Sequence, residues 1–388
     1  MAIVNRIGAF HEDMSAWRRE IHAHPETAYE EHRTSDFVAA KLKSFGLEVH
    51  RGLAGTGVVA TLKRGDGPSI GLRADMDALH IHEANGFEHK SRNQGKMHAC
   101  GHDGHTTMLL GAARYLTEAG KFKGTVHFIF QPAEENEGGA RVMLEEGLFR
   151  RFPTNAVYGM HNVPGMPVGT FAAKAGPMMA AFDIFEISVR GKGSHAALPH
   201  QGIDPIVVAS HIVTALQSIA SRNVDPLDAV VVSVTQIHAG EAWNIVPDSA
   251  VLRGTCRTFT PALHASMESR LAKVARGVCE AFGATMEMRY EKRYPPTVNS
   301  EAETSAAVRA AEALVGADRV NKRPVPMMGS EDFAFMLQAK PGCYIWIGNG
   351  DGEGNCMLHN PRYDFNDAIL PLGASYWVRL VEQELARA

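Results

Sequence analysis

Eight consecutive residues, His98-Ala99-Cys100-Gly101-His102-Asp103-Gly104-His105, crowd one thiol, three imidazoles and a carboxylate into a glycine-punctuated segment. Any fold this chain takes must build a place where such groups converge. Cys100 and His102 bracket a single glycine, so both side chains can enter one concavity if the backbone bends sharply between them. A set of this kind typically holds a metal ion. The alternative is a buried cysteine with well hydrogen-bonded histidines around it.

At 388 residues the chain exceeds one comfortable core and favours two domains. A formal charge of -4 and a pI near 6.6, without any Lys/Arg run, exclude nucleic acid as a natural partner. The opening Met-Ala-Ile-Val-Asn-Arg lacks the basic and apolar regions of a secretory signal, and no apolar stretch reaches spanning length. A cytoplasmic protein without a membrane partner is therefore expected. Five scattered cysteines, Cys100, Cys256, Cys279, Cys343 and Cys356, argue against a disulfide framework and for reduced thiols.

Apolar residues at helical intervals predict helices over 7–21 and 34–45, the second stopped by Gly46. Apolar runs at 58–62, 70–73, 125–130 and 156–160 predict strands, with a helix over 106–118. That alternation implies an α/β fold with a helix-covered, mostly parallel sheet. Asp75 and Asp77, Glu134 and Glu135, and His161 all fall just past the carboxyl ends of such runs. Open α/β sheets bind ligands in the crevice beyond those ends, so separate strands would deliver these groups to one place.

From residue 182 the order changes to strand 182–190, helix 205–221, strands 230–238 and 250–258, helix 262–282 and strand 285–290. This βαββαβ order predicts a ferredoxin-like insert spanning 181–293 within a discontinuous catalytic domain of 1–180 and 294–388. Pro- and Gly-containing stretches at 174–177 and 294–296 suit the hinges.

In an extended segment the adjacent Glu134 and Glu135 would project to opposite sides, one as a metal ligand and one toward a water. The bland reading is an acidic helix start. His161 and His359 sit at breaks where an imidazole is easily aimed. With Cys100, His102 and Glu135 they make five ligands of mixed type, too many for one tetrahedral ion, so two divalent ions are expected. Zn, Mn, Co and Ni all suit such donors. Asp75, Asp77 and Asp103 are candidates for orienting the ligating imidazoles.

The 98–105 segment, Gln131-Pro132-Ala133-Glu134-Glu135, Gly159-Met160-His161-Asn162 and Leu358-His359-Asn360 resemble motifs of the metal-dependent amidohydrolase branch of the aminoacylase and carboxypeptidase clan. Hippurate hydrolases, N-acyl-amino-acid amidohydrolases and auxin-conjugate hydrolases belong to that branch. Further matches at 73–79, 191–197, 244–247 and 329–333 extend the resemblance over nearly the whole chain. It implies Cys100, His102, Glu135, His161 and His359 as metal ligands and Glu134 as general base and later acid. It also implies that the insert is a lid and homodimerisation domain, with His195 stabilising an oxyanion in the partner subunit's site and Asn244 gripping substrate.

The expected reaction is hydrolysis of an N-acyl amino acid to a carboxylate and a free amino acid, without a covalent intermediate. The substrate's α-carboxylate calls for a cation, and Arg253, Arg257, Arg289 and Arg293 are the candidates. A non-catalytic binder of acylated amino acids is the alternative, but it would have no use for Glu134. A two-metal phosphoesterase is disfavoured by the Cys100 thiolate.

Overall fold

The computed structural model describes residues 3–351 and 356–386. They form two compact units: Met1–Met178 with Val298–Val325 and Asp332–Ala388, and Met179–Thr297 with Pro326–Glu331.

The first unit is built on an eight-stranded sheet in the order Glu48–Leu53, Gly57–Arg64, Gly124–Gln131, Ser69–Asp75, Ala156–Pro164, Gly342–Gly350, Phe171–Ala172, Val320–Asn321. Its four central strands run parallel, as the buried apolar runs imply; an antiparallel pair flanks them on one side, and on the other Phe171–Ala172 runs antiparallel to Gly342–Gly350 and parallel to Val320–Asn321. His102–Ala119 packs apolar residues on every face (Met108, Leu109, Leu110, Ala112, Ala113, Leu116) and is buried along almost its whole length. Leu370–Glu384 lies against it, equally sheathed in core.

Two local expectations differ. The opening helix is two helices, Asn5–Gly8 and His11–Ala23, broken at Ala9 and Phe10. Ile7, Phe10, Met14, Trp17 and Ile21 are nonetheless all buried, so the apolar face runs through the break. His161 lies inside its strand, not past it, because the ladder with Gly342–Gly350 continues to Pro164 and pairs His161 with Trp346. Pairing with Ser69–Asp75 stops at Gly159. Beyond that residue one strand edge is released, and the crevice opens there.

The second unit is an antiparallel four-stranded sheet ordered Val230–Ala239, Ser249–Thr258, Ala181–Arg190, Thr285–Tyr294, with the fourth strand in sequence beside the first. Helices Pro205–Ser218 and Pro261–Ala281 cover one face through Val208, Ile212, Leu216, Met267 and Leu271. Asp204 and Thr260 cap these helices by accepting from backbone N–H groups, and a proline opens each. This is the ferredoxin-like βαββαβ arrangement. Among the described residues no helix is long and apolar enough to cross a membrane, and all five cysteines are free.

Candidate metal centre

Gly101 precedes helix His102–Ala119 at φ +99°, where a Cβ would meet Asn162 Oδ1 at 2.4 Å. Only glycine fits, and its turn sends Cys100 and His102 to the same side. His102 Nδ1 pairs with the Asp77 carbonyl oxygen at 2.9 Å, and His161 Nδ1 with the Asn162 carbonyl oxygen at 2.7 Å. A carbonyl can only accept, so Nδ1 carries the proton on each neutral ring and Nε2 offers its lone pair. His161 Nε2 lies 3.4 Å from Cys100 Sγ, while His102 Nε2 is buried without a hydrogen-bond partner.

His359 arrives with φ +64°, its amide donating to the Ala99 carbonyl oxygen at 2.7 Å. That backbone places Nε2 3.2 Å from Glu135 Oε1. A non-glycine residue in the left-handed region is strained by roughly 1–2 kcal/mol and persists where its surroundings hold it.

Glu134 and Glu135 do not project to opposite sides of an extended segment. Ala133 and Asn136 take φ +55° and +68°, and this turn folds the segment back on itself. Ligating atoms of His102, Glu134 and Glu135 come within 4.8 Å of one another, as do those of Cys100, His102 and His161 and those of Cys100, Glu135 and His359. The three sets share members. All five expected ligands and Glu134 therefore gather at one place, drawn from within one strand, the turn after another, a helix start and a loop.

The electrostatics ask for a cation. Burial, and then the charges of Glu135 and Glu134, push the Cys100 thiol well above its ordinary range. Burial depresses His102, but Asp75 and Asp77 outweigh it and lift the imidazole to about 10. A buried Nε2 that makes no hydrogen bond, a thiol among carboxylates and mixed S, N and O donors fit divalent ions of the borderline class, which would hold the thiolate and a neutral imidazole together.

Of the three aspartates expected to orient ligating imidazoles, only Asp77 hydrogen-bonds one of the expected rings, that of His102. Asp75 Oδ1 lies 2.6 Å from His105 Nδ1 and Asp103 Oδ2 lies 2.8 Å from His22 Nδ1. Asp332, which the sequence offered only inside a longer motif, donates its amide to Glu134 Oε1 at 3.4 Å. His22 is buried; burial alone would lower it, but Asp103 and Glu83 raise it from 6.5 to about 9. Its contribution to stability is thus fully present below pH 6.5 and lost as pH rises through about 9. Urea midpoints for wild type should fall over that window, and His22→Gln should flatten the fall.

The remaining expected residues lie in the second unit. Ser194–His195 pairs antiparallel with Ile245–Val246, and the Ala196 amide donates to the Asn244 carbonyl oxygen at 3.0 Å, so His195 and Asn244 sit side by side on one exposed two-stranded ribbon. Arg253, Arg289 and Arg293 line a cavity of about 370 Å³ with Glu186 and Glu291. Arg253 Nε donates to Glu186 at 2.6 Å, and Arg293 and Arg289 face Glu291 at 2.9 and 3.6 Å. Arg257 packs on the Phe182 ring and donates to Ser330 Oγ at 2.5 Å.

Residues 71–383 match peptidase family M20/M25/M40. A hippurate hydrolase of Campylobacter jejuni is 41% identical over 94% of each chain. An N-acetylcysteine deacetylase of Bacillus subtilis is 40% identical over 96% of this chain and 97% of its own. The crystal structure of a dinuclear metal binding peptidase of the M20 family from Bacillus subtilis superposes with a TM-score of 0.86 at 36% identity, covering 97% of this chain and 99% of the other. The chain belongs to peptidase family M20/M25/M40, in its metal-dependent amidohydrolase branch.

Proposed function

We propose that the chain hydrolyses the amide bond of N-acyl amino acids, hippurate-like or N-acetylated, giving a carboxylate and a free amino acid. The observation that carries this is the convergence of Cys100, His102, Glu135, His161 and His359 around Glu134. The first five would hold two divalent ions, Zn, Mn, Co or Ni. When bound, such ions supply Lewis acidity, easing deprotonation of a water and polarising the acyl carbonyl.

Glu134 takes the proton of the attacking water and later delivers it to the leaving amine nitrogen, so one carboxylate serves as base and then acid. The Asp332 amide keeps Glu134 Oε1 aimed while this happens. His195 is the donor to the developing oxyanion. Its Nδ1 accepts from the Ala197 amide at 3.1 Å, which places the proton of the neutral ring on Nε2. Asn244, beside it at the edge of the same two-stranded ribbon, grips substrate. Arg253, Arg289 and Arg293 are candidates for the substrate carboxylate, and each would first exchange Glu186 or Glu291 for it.

The second unit serves as lid and dimerisation domain, His195 acts across a homodimer, and the protein works in the cytoplasm. Dilution below the dimer dissociation constant should then abolish turnover while bound metal is retained. The deciding experiment is metal analysis joined to a screen of benzoyl, acetyl and indoleacetyl amino acids. Expected are about two divalent ions per chain and cleavage of at least one substrate, lost on chelation and restored by added metal. Metal-loaded protein that cleaves none of them contradicts the proposal.

A further inference from the structure

The backbone that carries Glu134 and Glu135 cannot hold its shape by local preference. Ala133 and Asn136 both sit at positive φ without being glycine, and at Gly139 a Cβ would meet the Pro132 carbonyl oxygen at 1.8 Å. Left-handed backbone at a residue with a side chain is disfavoured by about 1–2 kcal/mol, so this loop needs restraint from outside. Three carboxylates from elsewhere in the first unit grip its amides. Asp77 Oδ2 accepts from Glu135 N at 2.9 Å, Asp332 Oδ2 from Ala140 N at 2.8 Å, and Glu31 Oε1 from Ala133 N at 2.9 Å.

Asp77 and Asp332 have other tasks, on His102 and on Arg73 and Gln131. Glu31 is different. It is 0% exposed, its second oxygen accepts from Thr56 Oγ1 at 2.7 Å, and it is not part of the ligand cluster. Burial, and then the charge of Asp77, push its carboxyl up to about 7, against the pull of those hydrogen bonds. A Glu is costly to keep in such a place. Its own segment is tied to the strand tip bearing Asp77, since the Ala78 amide donates to the Glu26 carbonyl oxygen at 2.8 Å.

We propose that Glu31 is a positioning residue for amide hydrolysis: by holding the Ala133 amide in its left-handed turn, it sets where the Glu134 and Glu135 carboxylates point. The inference rests on the reading of Glu134 as the base. A misplacement near 1 Å at a reacting group can cost about 10²-fold in rate. At saturating metal, Glu31→Ala should lower kcat by roughly 10- to 100-fold with KM within about twofold of wild type. Glu31→Gln keeps a side-chain oxygen for the Ala133 amide and should restore kcat to within about threefold of wild type.

A purely structural role would lower the melting temperature of both variants and leave kcat per folded molecule unchanged. If Glu31→Ala does not fold, Thr56→Val, which frees one carboxylate oxygen, should lower kcat by about threefold. The proposal is overturned if folded Glu31→Ala keeps wild-type kcat, if Glu31→Gln falls as far as Glu31→Ala, or, where only Thr56→Val folds, if its kcat is unchanged. Glu134→Gln run in parallel separates the two levels. Turnover surviving there overturns the base assignment, whereas turnover lost there but kept in Glu31→Ala overturns the positioning role alone.

Discussion

Glu134→Gln is expected to lower kcat by about 10²- to 10⁴-fold while KM and metal content stay near wild type. The substitution is nearly isosteric. Its side-chain oxygen can still accept from the Asp332 amide, which lies 3.4 Å from Glu134 Oε1, so the loop need not move. What disappears is a group able to take up a proton and return it. A loss confined to kcat marks an interaction made in the transition state and not in ground-state binding. Steady-state kinetics and elemental analysis on one preparation check both halves. Turnover within a few-fold of wild type would remove Glu134 from the chemistry, and a parallel loss of metal would make it a ligand instead.

Arg73→Leu should destabilise the metal-loaded protein by about 3–5 kcal/mol. The Arg73 guanidinium is 1% exposed and donates to Asp75 Oδ2 at 2.7 Å, to Asp332 Oδ1 at 2.9 Å and to Gln131 Oε1 at 2.7 Å. Asp75 and Asp332 are each 0% exposed, so deleting the cation strands two buried carboxylates. The consequences reach the site. Asp75 holds His105, and Asp332 holds both the Ala140 amide and, through its own amide, Glu134. Arg73→Lys keeps the charge without the three-way fork and should fall between the two. Urea midpoints measure the loss; a change under 1 kcal/mol in Arg73→Leu would mean that the network is not holding the sheet tips together.

The parts of this molecule legible in its sequence are those that local patterning encodes. Buried parallel strands read as continuous apolar runs, and polar residues at their ends mark the crevice. Cys100 and His102 share a single glycine turn, so their convergence needs no distant partner to be foreseen. The alternating strands and helices of 181–293 carry their order on their face.

What was not legible depends on backbone that composition does not announce. Ala133 and His359 are ordinary residues held at positive φ by tertiary hydrogen bonds, to Glu31 and Ala99. The turn of the Glu134–Glu135 pair was therefore invisible, and an extended segment was the natural expectation. Glu30 and Glu31 are identical neighbours, yet one is exposed and the other wholly buried. The break near Phe10 left no trace because the apolar spacing continues through it. For Ala133, Glu31 and His359 the missing information was the identity of a partner far away in the chain.

The most direct measurement is X-ray absorption at the zinc edge on protein reconstituted with zinc. If Cys100 joins His102, Glu135, His161 and His359 in holding the metals, wild type should show a sulfur scatterer at about 2.3 Å among nitrogen and oxygen neighbours. Cys100→Ser should lose it, while Cys343→Ser, in a core strand, should keep it. A wild-type spectrum with nitrogen and oxygen scatterers alone, or a sulfur signal that survives Cys100→Ser, would contradict a metal centre built on this thiolate.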